Sequence, residues 1–250
     1  MQQQVNFAFL HGGGQGGWVW QDTIEALNHQ AGVAFARALA LDVPGCGAKR
    51  GRHTDGIGLA DIASELIHDL EAEGMRDVIL VGHSQAGCVL PAMIESRPDL
   101  FRRVVYVTCS IPLPGQTVEA MMGTGRHGTD PDQVGWPVDR KSAGIEQMYS
   151  SMFCNDMSAG DAAAFLGRLG QDAWPAQSYK HVDWHYTNLD GVPATYVVCL
   201  ADGILPVAWQ QKFAERFHAK RLVRIDAGHQ AMNTRPQALA EILRNEALLP

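Results

Sequence analysis

The chain has 250 residues, of which 46% are hydrophobic and 19% are charged, and its formal net charge at pH 7 is −7. These values fit one globular domain with room for an insertion, and an acidic chain without a basic run argues against nucleic acid or an anionic membrane surface as a partner. No window is long enough for a membrane span, the N-terminus has no secretion-signal pattern, and the five scattered cysteines are typical of reduced thiols, so we expect a cytoplasmic protein.

The first predicted strand, Val5–Leu10, runs into the glycine-rich loop His11-Gly-Gly-Gly-Gln-Gly-Gly-Trp18. Glycine lets the backbone come close to a ligand, so this loop can offer N–H groups to an anion; the alternative is a merely flexible loop. No Gly-Lys-Ser/Thr follows, which excludes a Walker-type phosphate loop. A helix is predicted from about Trp20 to Gln30.

A second strand, Val33–Leu41, is predicted to end at the turn Asp42-Val-Pro-Gly-Cys-Gly47. The next helix is indicated by apolar residues at helical spacing and is closed by Gly74. Those apolar residues are Leu59, Ile62, Ala63, Leu66, Ile67 and Leu70.

The apolar run Val78–Val81 reads as a buried strand, and it leads directly into Gly82-His-Ser-Gln-Ala-Gly87. A strand, a sharp turn and a helix around G-x-S-x-G form a nucleophile elbow, in which small residues two before and two after the serine let strand and helix nearly touch. Ala86 stands where the second glycine is usual and adds one methyl group. The pattern alone is also met in ordinary turns.

Six further elements are predicted after the elbow. They are a helix from Gln85 to Ser96 that Pro91 should kink, the strands Val104–Val107, Ala194–Leu200 and Leu222–Ile225, and the helices Val207–His218 and Pro236–Leu248. Between residues 112 and 193 the regular alternation stops, and Gly, Pro, Met and aromatic residues recur. We interpret 112–193 as an inserted, mostly helical lid on a core formed by 1–111 and 194–250.

Alternating strands and helices predict an α/β fold, a mainly parallel sheet with helices on both faces. Ligands of such sheets bind at the carboxyl ends of the strands, where Ser84, Asp202 and His229 each follow a strand. Ser84 is the candidate nucleophile, His229 its base and Asp202 the carboxylate that orients the base. The backbone N–H groups of Gly13 and Gln85 are the candidate oxyanion hole, in which one donor typically contributes about 3–4 kcal/mol.

Each assignment has a rival. Asp226 lies near His229 in sequence, but a carboxylate three residues before the base fits a role in its own loop better. His83 adjoins Ser84, yet neighbours in a tight turn point apart. The other position for the acid, after the fourth core strand, holds Thr108-Cys-Ser110 and no carboxylate. No His, Cys or Asp cluster has metal-ligand spacing, and we expect no metal and no cofactor.

Together these segments resemble the α/β-hydrolase superfamily over nearly the whole chain. The matching segments are Leu10-His-Gly-Gly13, Asp42-Val-Pro-Gly-Cys-Gly47, Gly82-His-Ser-Gln-Ala-Gly87, Asp202-Gly-Ile-Leu-Pro206 and Ala227-Gly-His229. The loop from His11 to Trp20 is most similar to the branch of plant methylesterases, plant hydroxynitrile lyases and bacterial pyrethroid hydrolases. Lyases of that branch carry threonine and lysine where this chain has Gly12 and Gln230, so the resemblance implies an esterase. Superfamily members with an aspartate nucleophile, the dehalogenases and epoxide hydrolases, are disfavoured by Ser84.

The expected function is hydrolysis of a small, largely apolar carboxylic ester through an acyl-enzyme on Ser84. The alternatives are a lactonase, a C–C hydrolase or hydroxynitrile lyase on the same scaffold, and a ligand receptor without catalysis. The partner is a small-molecule substrate, and a homodimer stays open as an alternative to a monomer. The candidate substrate-binding residues are Gly12, Ile111, Trp136, Met152, Trp184, Ile204 and Leu205.

Overall fold

The computed structural model describes residues 5–29, 35–186 and 188–249. Its centre is one six-stranded sheet in which every neighbouring pair is parallel, in the order β2-β1-β3-β4-β5-β6. The strands are β1 (Val5–Leu10), β2 (Phe35–Leu41), β3 (Val78–His83), β4 (Phe101–Val107), β5 (Ala194–Cys199) and β6 (Arg221–Ile225). The predicted fold class is thereby confirmed.

Nine α-helices surround or follow the sheet within the described residues. They are α1 (Gln21–His29), α2 (Leu59–Ala72), α3 (Leu90–Ser96), α4 (Val118–Met122), α5 (Ile145–Phe153), α6 (Ala159–Leu166), α7 (Val207–Arg216), α8 (Ala231–Thr234) and α9 (Pro236–Ala247). The predicted positions 30, 33 and 34 of the first helix and second strand lie outside the described residues.

The strand order explains why both faces of the sheet are covered. Crossovers between parallel strands are right-handed, so the β1–β2 connection puts α1 on one face, and the later connections, which run the other way, put α2, α3 and α7 on the opposite face. α9 packs against α1, and α2 packs against α3. All six residues of β3 are buried, as expected for a central parallel strand covered on both sides.

Helix α2 forms as its periodicity predicts. All six apolar residues of the predicted stripe are buried. At the start of the helix, the Asp61 carboxylate accepts the backbone N–H of Gly58 at 2.9 Å, as a capping residue does. At its end, Gly74 adopts a φ of +64°, a left-handed conformation that glycine takes at little cost.

The helix predicted from Gln85 to Ser96 is wrong at its start. A 3₁₀ turn covers Ser84–Cys88, and α3 begins only at Leu90. Pro91 is the second residue of α3, where its missing N–H costs no helical hydrogen bond. The proline therefore starts a helix rather than kinking one.

Residues 112–193 contain α4, α5, α6 and two 3₁₀ turns, and none of the described residues in this range lies in a strand of the sheet. Six of their large apolar side chains are buried, namely Met121, Met152, Phe153, Phe165, Trp174 and Trp184. The segment is thus mostly short helices and loops, and its role as a lid stays a prediction.

Candidate active site

The loops that follow β1, β3, β5 and β6 meet at one edge of the sheet. The strand order reverses between β1 and β3, and ligands of parallel sheets bind at such a reversal. The glycine-rich loop after β1 and Ser84 after β3 therefore adjoin. A Cβ atom added to Gly12 would lie 3.0 Å from the Cβ of Ser84.

Ser84 lies at the sharp turn after β3. Its φ is +54°, which is rare for a residue with a side chain and costs conformational energy. Its neighbours leave no space for larger residues: a Cβ on Gly82 would lie 2.4 Å from the Leu90 side chain and 3.1 Å from the Cβ of Ala86. The turn accommodates the methyl group of Ala86 because position 82 carries none.

Ser84, His229 and Asp202 are joined by two hydrogen bonds. Nε2 of His229 is 2.9 Å from Oγ of Ser84, and its Nδ1 is 2.8 Å from Oδ2 of Asp202. The side chains of His229 and Asp202 are fully buried. This arrangement lets an imidazole accept the serine proton while a carboxylate stabilises the resulting imidazolium.

The Asp202 carboxylate is held by four donors. Its Oδ1 accepts the backbone N–H groups of Ile204 and Leu205 at 2.7 and 2.8 Å. Its Oδ2 accepts the hydroxyl of Thr108 at 2.5 Å in addition to the His229 ring. Such bonds orient the carboxylate toward the imidazole ring of His229.

Thr108 is a site residue that sequence analysis missed. It follows β4, at the position considered for a carboxylate, and its φ is +39°. Instead of an acid, this position supplies a hydroxyl that donates to the acid after β5. The available signal was only its place at the end of a strand, since threonine itself suggests no such role.

The rival residues have other partners. His83 is fully buried, and its Nε2–H donates to the backbone carbonyl of His229 at 2.9 Å. Burial, and then the neighbouring His229, lower the pKa of His83 well below its ordinary value, so the ring stays neutral. Asp226 is exposed, and Nδ1 of His229 bonds to Asp202 instead.

The candidate oxyanion donors lie beside Ser84. Gly13 and Gln85 line the same cavity as Ser84, and in the described loops and turns neither N–H donates to a backbone carbonyl. Gln85 is the second residue of a 3₁₀ turn, where an N–H has no partner within the turn. A Cβ on Gly13 would lie 2.3 Å from Oε1 of Gln85, which accepts the hydroxyl of Tyr179 at 3.2 Å.

The glycine-rich loop is held in place from two sides. Nδ1–H of the buried His11 donates to the Gly12 carbonyl at 2.8 Å, and its Nε2 accepts the N–H of Val43 at 3.2 Å. Nε1–H of Trp174 donates to the same Gly12 carbonyl at 3.1 Å. Burial lowers the pKa of His11, which keeps its ring neutral.

A cavity of about 290 Å³ opens beside Ser84. One end is polar, with Ser84, Gln85, Ser110 and Tyr179, and the rest is predominantly apolar. The apolar and aromatic lining consists of Val118, Met122, Trp136, Tyr149, Met152, Phe153, Leu169, Ile204 and Leu205. A larger groove of about 400 Å³ beside Trp18 and Arg168 does not include Ser84, so the smaller cavity is the candidate substrate site.

Four of the predicted substrate-binding residues, Trp136, Met152, Ile204 and Leu205, line this cavity, and three do not. Gly12 lies against His83 and Ser84, and its carbonyl is occupied by Trp174. Ile111 is fully buried, and its carbonyl accepts from Arg216. Trp184 is buried in a different groove, beside α3, with its Nε1–H bonded to the Gln116 carbonyl. The sequence could not reveal which apolar residues of the 112–193 segment face this cavity.

In the described ranges, no group of three or more His, Cys, Asp or Glu side chains is arranged to hold a metal ion, and no helix is long and apolar enough to cross a bilayer. All five cysteines are free and buried. Burial raises the pKa of the Cys88 thiol to about 12, which makes it a poor nucleophile.

The sequence profile of the alpha/beta hydrolase family matches residues 7–242. The chain belongs to this family. It is 24% identical to Methylesterase 2 of Arabidopsis thaliana, over 97% of this chain and 95% of that protein. It is 32% identical to a carbendazim hydrolyzing esterase of Nocardioides, over 47% of each chain.

Solved structures support the same fold. A pyrethroid hydrolase from Sphingobium faniae superposes with a TM-score of 0.75 at 19% identity, covering 99% of both chains. An extracellular alpha/beta-hydrolase from a Paenibacillus species superposes with a TM-score of 0.76 at 18% identity, covering 96% of this chain and 98% of that one. The family that the sequence resembles is confirmed by the family model, and a methylesterase and a pyrethroid hydrolase of the suspected branch are among the similar proteins.

Proposed function

We propose that this protein is a serine esterase that cleaves a small, largely apolar carboxylic ester through an acyl-enzyme on Ser84. The observation that carries the proposal is the hydrogen-bonded series Asp202–His229–Ser84, which opens onto a mainly apolar cavity. The family and its esterase relatives support hydrolysis of an ester.

In the first half of the proposed reaction, Oγ of Ser84 attacks the ester carbonyl carbon while Nε2 of His229 takes its proton. The carbonyl oxygen becomes an oxyanion facing the N–H groups of Gly13 and Gln85. When the C–O bond to the alcohol breaks, the His229 imidazolium returns the proton to the leaving oxygen. The acyl group then remains on Ser84.

In the second half, water replaces the alcohol. His229 takes a proton from the water as its oxygen attacks the acyl carbon, and the same proton then returns to Oγ as the acid leaves. Asp202 stays ionised throughout and stabilises the imidazolium in both halves. No cofactor takes part in this scheme.

The cavity suggests the size and polarity of the substrate. Its volume of about 290 Å³ is at the small end of the range for ligand sites. Its polar groups cluster next to Ser84, where the ester group would lie, and the apolar wall accommodates a hydrocarbon or aromatic substituent. We therefore propose short or compact acyl groups rather than long chains.

A panel of p-nitrophenyl esters from acetate to dodecanoate, with aromatic esters and lactones alongside, tests the proposal. We expect turnover of the shorter or compact esters and a loss of about 10⁴-fold or more in kcat for Ser84→Ala. Turnover that survives Ser84→Ala would contradict the proposal. A preference for lactones, or activity only on C–C bonds or cyanohydrins, would favour the alternative reactions of this scaffold.

A further inference from the structure

The turn that ends α5 reaches the two loops that carry the acid and the base. Nδ2 of Asn155 donates to the backbone carbonyl of Ala201 at 2.6 Å, and Oδ2 of Asp156 accepts the backbone N–H of Gly228 at 2.7 Å. Ala201 directly precedes Asp202, and Gly228 directly precedes His229. Two consecutive side chains of the 112–193 segment thus each hold one of these loops at the residue next to the site.

Asp156 also connects the His229 loop to the helix behind it. Its Oδ2 accepts the hydroxyl of Thr234 at 2.9 Å and lies 3.7 Å from Nη1 of Arg235. Only 11% of the Asp156 side chain is exposed. A shielded carboxylate with several donors restrains the groups around it more strongly than an exposed one does.

The loops themselves are shaped to receive this turn. A Cβ added to Gly228 would lie 2.4 Å from Oδ1 of Asp156 and 2.7 Å from Oδ1 of Asn155. A Cβ added to Gly203, beside Asp202, would lie 2.3 Å from the backbone carbonyl oxygen of Ser151. Neither glycine has a positive φ. The close approach of the α5 end, rather than backbone conformation, therefore explains why both positions are glycine.

We infer that Asn155 and Asp156 form a clamp that fixes the spacing of Asp202 and His229, and that both are positioning residues for the reaction. This inference rests on the proposed function. The two loops are also joined by the main-chain bond from the Ala201 N–H to the Ala227 carbonyl, at 3.0 Å. The clamp adds a restraint from a third element, the segment that covers the site.

The clamp also links substrate binding to the triad. Met152 and Phe153, at the end of α5, line the substrate cavity, and the Phe153 ring centroid is 5.8 Å from that of His229. The same turn of chain therefore forms part of the substrate wall and holds the acid and base loops. A substrate that packs well against α5 would stabilise the productive geometry of the triad.

Four variants test the clamp through steady-state ester kinetics, with active sites counted by fluorophosphonate titration. Asp156→Ala and Asn155→Ala should each lower kcat per active site by about 10-fold or more, because small misplacements of catalytic groups cost that much, and should leave KM within about 2-fold. Asp156→Asn keeps an oxygen that can accept from Gly228 and Thr234, so its kcat should stay within about 3-fold of wild type.

Asp161→Ala is the matched control. Asp161 is exposed in the first turn of α6, where its carboxylate accepts the Ser158 hydroxyl at 2.6 Å, and it contacts neither loop. Its loss should lower stability slightly and leave kcat per active site within about 2-fold. If Asp156→Ala does not fold, Asn155→Ala tests the clamp alone, because Asn155 is exposed. The expected result is the same loss of kcat per active site.

Two results would overturn the clamp: wild-type kcat per active site in the folded alanine variants, or an equal loss in Asp156→Asn and Asp156→Ala. Failure of the proposed function gives a different result. In that case wild type would hydrolyse the esters of the panel no better than Ser84→Ala does. The rate at which a fluorophosphonate labels Ser84 also depends on His229, so this rate is then compared across the same variants. If wild-type Ser84 is not labelled at all, the clamp is overturned as well.

Discussion

Two buried imidazoles support the site without taking part in the proposed proton transfer. His11 fixes the glycine-rich loop and His83 fixes the carbonyl of His229. Both rings are fully buried, and burial lowers the pKa of each. Each ring is therefore neutral in the folded protein at pH values where it would be charged in the unfolded chain.

This difference predicts how the free energy of unfolding depends on pH. Below about pH 6.5, the ordinary pKa of histidine, the unfolded chain binds more protons than the folded protein does. The contribution of these rings to the free energy of unfolding is therefore fully present above that pH, and it is lost as the pH drops toward the folded pKa values. Each ring contributes a slope of up to about 1.4 kcal/mol per pH unit. Urea denaturation between pH 8 and pH 5 measures it.

Two variants check the assignment of this slope. His83→Gln should reduce the slope by up to about 1.4 kcal/mol per pH unit, the contribution of one ring. His53→Gln should not change it, because that side chain is 82% exposed. A free energy of unfolding that does not vary between pH 7 and pH 5 would contradict the interpretation, as would an unchanged slope in His83→Gln.

Sequence analysis selected Ser84, Asp202 and His229 because each follows a predicted strand and each has a side chain suited to the role proposed for it. Thr108 and Asp156 were not identified, because the hydrogen bonds by which they reach the site, to Asp202 and to Gly228, join residues 94 and 72 positions apart in the sequence. Such pairs are created by the packing of the chain, and no local spacing indicates them. Trp184 was predicted to bind substrate, but it lines a different groove. Which groove it faces depends on how the 112–193 segment packs.

Among the elements, the turn between β3 and α3 is tightly constrained. A Cβ on Gly87 would lie 2.6 Å from the Ser110 carbonyl oxygen and 2.9 Å from the Cβ of Cys109. Both atoms belong to the chain after β4, so neither can move aside as a flexible side chain would. The position of Ser84 therefore depends on the contact of this turn with the next strand's loop.

Gly87→Ala should destabilise the protein by about 1–3 kcal/mol, the usual effect of overpacking, and should lower ester turnover because Ser84 shifts with the turn. Gly191→Ala is the matched control, since no atom lies within 4 Å of a Cβ at that exposed position. Thermal denaturation and turnover of both variants provide the comparison. Equal stability of Gly87→Ala and wild type would show that the turn is less constrained than we describe.

Elements with strong periodicity were predicted well, and those without it were not. The stripe of α2 and the apolar runs of the strands have one dominant pattern each, and all of them formed. Pro91 was misread because the 3₁₀ turn at Ser84–Cys88 has no hydrophobic signature of its own. Residues 112–193 lack a repeating pattern, so only their general helical character could be predicted.

In the molecule as a whole, the parallel sheet brings distant residues to one edge. Ser84 and His229 are 145 residues apart in sequence and 2.9 Å apart in space, because each follows the carboxyl end of a strand. The 112–193 segment supplies most of the apolar wall of the cavity at this edge, and it contains Asn155 and Asp156 of the proposed clamp. In the proposed function, the sheet positions Ser84, Asp202 and His229, and the 112–193 segment selects the substrate.

Covalent capture of the nucleophile tests the central claim most directly. Folded wild-type protein is incubated with a fluorophosphonate, its intact mass is measured, and the modified peptide is sequenced by mass spectrometry. We expect one adduct, on Ser84, and none in Ser84→Ala, because only an activated serine reacts at an appreciable rate. A folded wild-type protein that acquires no adduct, or acquires it on another residue, would contradict the assignment of Ser84 as the nucleophile.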